Sequence, residues 1–111
     1  MNLVSAAEAV KLIKSGDSVY IQGSTSVPEV LVQAMTDRAA ELRDVKVYTA
    51  FAIGRCDAPY AKAELRDSFE PLSFFVANNL RKAINEGVAQ TIPAFLGEIP
   101  FLFRSRQIPL D

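Results

Sequence analysis

Two short loops carry the residues whose types and spacing could do chemistry. The first is GSTSVP, Gly23 to Pro28, which follows the apolar stretch SVYIQ and precedes a helical pattern. A strand feeding a glycine loop and then a helix aims backbone N–H groups at the strand's C-terminal edge. An anion or a carbonyl oxygen can be held there. GSTSVP lacks both the GxGxxG spacing of a dinucleotide site and the lysine of a P-loop, so those two readings fail on their own motifs. The plain alternative is a tight turn with ordinary helix capping, and on this stretch alone it is favoured.

The second loop is NNLR, Asn78 to Arg81, again between an apolar segment and a helix. Asn78 and Asn79 could cap the helix or hold a ligand amide, and Arg81 could pair with a carboxylate or phosphate. An N-cap beside a solvated arginine is the plainer reading. Cys56 lies in GRCDAP between Arg55 and Asp57. A neighbouring cation favours the thiolate, but no histidine exists to act as a base, so a loop cysteine without a chemical role is the better reading. Glu86 and Glu98 adjoin glycine turns and read as helix-end charges. Phe74 with Phe75, and Phe101 with Phe103, read as core rather than as a stacking platform.

What is absent narrows the chemistry further. The chain contains no histidine and one cysteine. Ser-His-Asp and Cys-His nucleophile systems cannot be assembled from it. Nor can a zinc site of the Cys/His kind or an intrachain disulfide. Carboxylates, lysines and tyrosines remain as acid–base groups. Twelve Lys and Arg against 13 Asp and Glu give a net charge of −1. That is not the footprint of a nucleic-acid binder or a basic membrane-surface protein. No apolar run is long enough for a bilayer, no positively charged n-region precedes an apolar stretch at the N-terminus, and a reducing, cytoplasmic setting is expected.

The elements that must position these loops can be read from periodicity. With 111 residues, half of them hydrophobic, one domain with a real core is expected. Ser5 and Glu8 form a capping-box pattern before a helix that should stop at Gly16. Ser18–Gln22 reads as a strand ended by Gly23. Ser26 and Glu29 suggest a second capping box, with Pro28 in the first turn and Val27, Val30, Leu31, Ala34, Met35 and Leu42 on one face. Residues 45–52 read as a strand covered on both sides. A short helix is expected near 61–66, a strand over 72–77, and a helix capped by Asn78 or Asn79 and stopped by Gly87. A short strand at Thr91–Ile92 and a helical turn or two around Pro100 complete the pass. Alternating helices and buried strands predict an α/β fold, a parallel sheet with flanking helices. The ending SRQIPLD makes that sheet look incomplete.

The run SFFVANNLRKAINEGVAQTIPAFLGEIPFLFRSRQIPLD resembles the N-terminal domain of the acetyl-CoA hydrolase/transferase family. The matching positions are Phe75, Asn79, Arg81, Ala83, Asn85, Gly87, Pro93, Leu96 and Pro100. SAAEAVKLIKSGDSVYIQG and DAPY upstream also fit, and IPLD resembles the lead into the family's next strand. The resemblance covers almost the whole chain. It implies a CoA-transferase-like fold and a chain that forms the N-terminal part of a first domain, over residues 1–111. It also implies transfer of CoA between an acyl-CoA and acetate or a similar short carboxylate, through a glutamyl-CoA intermediate. The nucleophilic glutamate of that chemistry belongs to a second domain, so no glutamate here inherits its role. Coenzyme A enters as substrate, and no further cofactor or metal is implied. The partners implied are acyl-CoA, a short carboxylate, and either further copies of the chain or a C-terminal domain. Gly23, Ser24, Thr25 and Pro28, then Asn78 and Asn79, become the candidate substrate-binding residues.

Three departures stand out. Ser24, Thr25 and Ser26 replace a more glycine-rich loop, VYTAFAIG lacks the family's histidine, and a glycine is missing around Ala77 and Asn78. The alternatives are a free-standing small-ligand-binding α/β module and a non-catalytic subunit.

Overall fold

Ser5 starts the first helix as its sequence asks. Its backbone is extended, and its Oγ accepts a hydrogen bond from the Glu8 N–H at 3.2 Å. In the computed structural model, which describes residues 2–51 and 58–111, α1 (Ala6–Ala9) tightens into a 3-10 turn at Val10–Leu12. The helix therefore ends short of Gly16. The Arg38 guanidinium donates to the carbonyls of Val10 and Ile13, so the orphan acceptors of the last turn are met from outside the helix. Gly16 (φ +86°) instead forms the turn into the first strand, and its N–H donates to the Arg43 carbonyl at 2.9 Å.

Four strands follow in sheet order: β1 (Ser18–Ile21), β2 (Val45–Thr49), β3 (Phe69–Ser73) and β4 (Gln90–Thr91). All neighbours are parallel. The α/β reading holds. In β2, Val45, Val47, Tyr48 and Thr49 are buried and Lys46 is exposed, as a strand covered on both faces requires. One face packs Val45, Val47 and Phe69 against Val32, Met35 and Leu80. The other packs Tyr48, Leu72 and Phe74 against Ile99, Leu102 and Phe103. The Phe103 ring meets Tyr20, Tyr48 and Phe74 edge-on, with centroids 5.4–6.2 Å apart.

β3 begins and ends earlier than its apolar run suggests, because Pro71 sits inside it rather than before it. Val45 N–H donates to Ser68, Phe74 N–H donates to Thr49, and Ile92 N–H donates to Ser73. Even-numbered residues of β3 therefore face β2, and odd-numbered ones face β4. Pro71 turns its nitrogen toward β4, whose pairing starts only at Leu72 opposite Gln90. The missing N–H costs no ladder bond.

α2 (Glu29–Asp37) starts three residues after Ser26, so the second capping box does not form. Val27 precedes proline and is extended (φ −60°, ψ 123°), which bars a helical start there. Pro28 is the N-cap, and Ser24–Ser26 make a separate 3-10 turn. The buried face of α2 is Val32, Met35 and Thr36, while Val30 is 73% exposed.

α3 (Asn78–Asn85) is capped by Ala77, with no side-chain bond. The Ala77 carbonyl accepts from Leu80 and Arg81 at 3.1 Å each. The cap position is buried, 6% exposed, and takes a small apolar side chain where an asparagine was expected. Gly87 (φ +72°) ends α3 as expected, with Gly87 N–H bonded to Ile84 and Val88 N–H to Ala83. The helix expected near 61–66 is a 3-10 turn at Ala63–Leu65. α4 (Ile99–Arg104) carries Pro100 in its first turn. Beyond it, Asp111 lies against the outer edge of β1. Its N–H donates to Ser18 at 3.0 Å, and its Oδ2 accepts from the Ser18 N–H at 2.9 Å.

Candidate active-site wall

The register aligns Ile21, Thr49 and Ser73, with Thr91 beside Ser73, so the strands end at a common C-terminal edge. The loops after β1 and β3 gather there, together with Phe51 just past β2. GSTSVP is fastened to its neighbour by a close backbone approach. Gly23 is buried, and a Cβ built on it would lie 2.5 Å from the Phe51 carbonyl oxygen. Only glycine fits, and the reason is space, since its φ is an ordinary −97°. Ser24 follows at φ +56°, and its N–H donates to the same carbonyl at 2.7 Å. Ser24 and Thr25 are exposed at the edge. Pro28 lies deeper, in the wall of an apolar groove of ≈310 Å³ lined by Val19, Ile21, Leu31 and Met35.

The loop after β3 is held by Ser73. This side chain is fully buried; its Oγ donates to the Phe75 carbonyl at 2.5 Å and accepts from the Phe75 N–H at 3.3 Å. The Phe75 ring packs on Phe51 with centroids 4.4 Å apart. Phe51 thus touches both candidate segments, through its carbonyl on one side and its ring on the other.

Asn78 is the first, exposed residue of α3, three positions past Phe75. Asn79 turns elsewhere. It is half-buried and lines a polar cavity of ≈420 Å³ with Lys62, Glu64, Lys82 and Glu86. The structure therefore places Gly23, Ser24, Thr25 and Asn78 along one edge, Pro28 beneath it, and Asn79 in a neighbouring cavity. Arg81 is exposed and, among the described residues, in no ion pair. Cys56 and its neighbours at 52–57 lie outside the described residues.

Sequence reasoning missed Phe51, Ser73 and Phe75 as site-builders, and it placed Phe75 in the core. Nothing in their periodicity marks them; only Ser73 at the end of an apolar run hints at a polar fastening. Thr49 was also missed. It is 1% exposed, and its Oγ1 has no hydrogen-bond partner among the described residues.

Chemically, this edge offers two exposed hydroxyls, an amide and an aromatic surface. Such a set can receive a carbonyl or carboxylate oxygen beside an apolar group. Among the described residues there is no cluster of three metal-ligating side chains, and no helix is long and apolar enough to cross a membrane.

Comparison with known proteins agrees with this architecture. The chain is 34% identical over 106 residues to a succinyl-CoA:acetate/propanoyl-CoA:succinate CoA transferase of Fasciola hepatica, covering 94% of this chain and 21% of that protein. It is 28% identical over 109 residues to a 4-hydroxybutyrate coenzyme A transferase of Clostridium kluyveri, covering 98% of this chain and 25% of that one. The chain thus spans about a fifth to a quarter of the curated relatives it matches. Among solved structures, RipA from Yersinia pestis superposes with a TM-score of 0.87 at 26% identity, over 97% of this chain and 27% of that one. Residues 1–108 match the acetyl-CoA hydrolase/transferase N-terminal domain, and the chain belongs to that family.

Proposed function

We propose that this domain forms one wall of the active site of an acyl-CoA:carboxylate CoA-transferase or acyl-CoA hydrolase. The observation that carries the reading is the common edge at which the GSTSVP loop, Phe51 and Phe75 meet. The relatives named above are CoA transferases whose names span acetate, propanoyl, succinyl and 4-hydroxybutyrate, so the substrate here is a short acyl or carboxylate group.

The reaction runs through a glutamate supplied from outside this domain. Its carboxylate attacks the thioester carbonyl carbon, the C–S bond breaks, and CoA leaves as thiolate. The resulting acyl-glutamyl anhydride is attacked by the thiolate at the glutamyl carbonyl, which releases the first carboxylate and leaves a glutamyl-CoA thioester. A second carboxylate then attacks this thioester, and the steps reverse to give the new acyl-CoA. Water in place of that carboxylate gives hydrolysis. In each step, charge develops on a carbonyl oxygen. The exposed Ser24 and Thr25 hydroxyls and the Asn78 amide are the donors that this domain brings to it. Gly23, Ser24 and Thr25 line the acyl side, Pro28 supports the loop, and Asn78 contributes from α3, while Asn79 faces the neighbouring polar cavity.

A CoA-transfer assay tests the reading. The protein of full family length that carries this domain should exchange CoA between acetyl-CoA and propionate, and the 111-residue chain alone should not. Robust turnover by the isolated chain would overturn the assignment of the nucleophile to a second domain.

A further inference from the structure

Phe75 is 53% exposed, yet its position is fixed. The buried Ser73 hydroxyl grips its backbone from both sides, and the Ala77 N–H donates to its carbonyl at 3.1 Å. Its ring lies on Phe51 at 4.4 Å, tilted by 38°. Neither ring belongs to the two core clusters. Among the described residues the other aromatic pairs all involve Tyr48, Phe74 or Phe103 and help to fill the core beneath α4. A rigidly held ring half out in solvent, next to a loop of exposed hydroxyls, is an apolar surface beside a polar one. A short aliphatic carboxylate or acyl group has the same two-part chemistry.

We propose that the Phe51–Phe75 pair receives the aliphatic portion of the acyl or carboxylate substrate and sets its preferred chain length. The inference rests on the reading of this edge as part of a CoA-transfer site. The carbonyl or carboxylate end meets the donors of the 23–25 loop, and the methylene groups lie on the exposed face of Phe75. Each further methylene that the ring covers is removed from water, which is worth about a fourfold gain in kcat/KM. Polar acceptors of the same length gain less, because a hydroxyl or second carboxylate placed on the ring would lose its water.

The test uses the full-length protein, with acetyl-CoA as donor and isotope-labelled acetate, propionate and butyrate as acceptors, so that transfer to acetate is read as label entering acetyl-CoA. The wild type is expected to gain about fourfold in kcat/KM per methylene, mainly through KM. In Phe75→Ala that gain should fall to nearly onefold, the loss appearing in KM for propionate and butyrate. Phe75→Leu keeps apolar volume and guards against a folding defect; it should show an intermediate slope. Turnover by both variants with the wild-type chain-length profile overturns the proposal and leaves the CoA-transfer reading intact. That result would assign the exposed ring to contacts with the rest of the protein. No turnover by the wild type with any of these pairs overturns the reading and the proposal together.

Discussion

The backbone at Gly23 runs so close to that at Phe51 that a single added carbon on Gly23 would lie 2.5 Å from the Phe51 oxygen. Two loops at the C-terminal edge are thereby locked into one unit, with the Ser24 N–H bond to the same oxygen as its second fastening. Gly23→Ala forces one of these backbones to move. A loss of about 2 kcal/mol is expected from such overpacking, seen as a lower urea midpoint with an unchanged slope. In the full-length protein it should also impair CoA transfer, because the 23–25 donors shift. An unchanged midpoint would mean that the approach is looser than described.

Ser73 does for the third loop what Gly23 does for the first. Its hydroxyl both donates to and accepts from Phe75 inside a fully buried position. Ser73→Ala leaves those backbone groups to find other partners. About 1–2 kcal/mol of stability should go with it. The Phe75 amide should then exchange with solvent faster in the variant than in the wild type. Equal exchange at Phe75 would show that the hydroxyl does not hold this loop.

The contrast between these loops and the framework shows what the sequence carries. β2 was legible because both of its faces are buried, and a continuous apolar run says so without tertiary context. The end of α3 was legible because Gly87 at φ +72° is a local requirement. The start of β3 was not, since Pro71 reads as a break unless the side to which its nitrogen points is known. That depends on where β4 begins. The start of α2 was misread because Ser26 and Glu29 have capping spacing, but Val27 is held extended by Pro28. Asn78 and Asn79 lost the cap to Ala77 because burial, which spacing does not reveal, favoured the smaller side chain. In the candidate site, GSTSVP was visible as a glycine loop after a strand. Phe51 and Phe75 were not, because their meeting is a contact between residues 24 positions apart.

Thr49 gives a prediction with the opposite sign. Its hydroxyl is buried at the end of β2 with no hydrogen-bond partner among the described residues. Burying such a group costs free energy that a methyl group of the same shape would not. Thr49→Val should therefore stabilise the chain by about 1 kcal/mol, raising its thermal midpoint. A destabilised Thr49→Val protein would point to a water or ligand held by that oxygen.

Arg38 links the first two helices, and its geometry separates the guanidinium from a simple charge. It donates to the carbonyls of Val10 and Ile13 and pairs with Glu41 at 3.2 Å, with its side chain only 17% exposed. The Glu41 carboxylate is 64% exposed, so that pair adds little. The bonds to the two carbonyls matter more, because a planar fork can serve both acceptors and a lysine ammonium is a poor substitute. Arg38→Lys should cost about 1 kcal/mol and Arg38→Ala about 2–3 kcal/mol. Glu41→Gln should cost less than 0.5 kcal/mol, roughly the scatter of surface changes. Each kcal/mol corresponds to a fall of roughly 4–8 °C in thermal midpoint for a domain of about this size. The order Ala, then Lys, then Gln, from most to least damaging, is the expected result. Equal losses for Arg38→Lys and Glu41→Gln would mean that the surface ion pair, and not the capping of the first helix, is what Arg38 contributes.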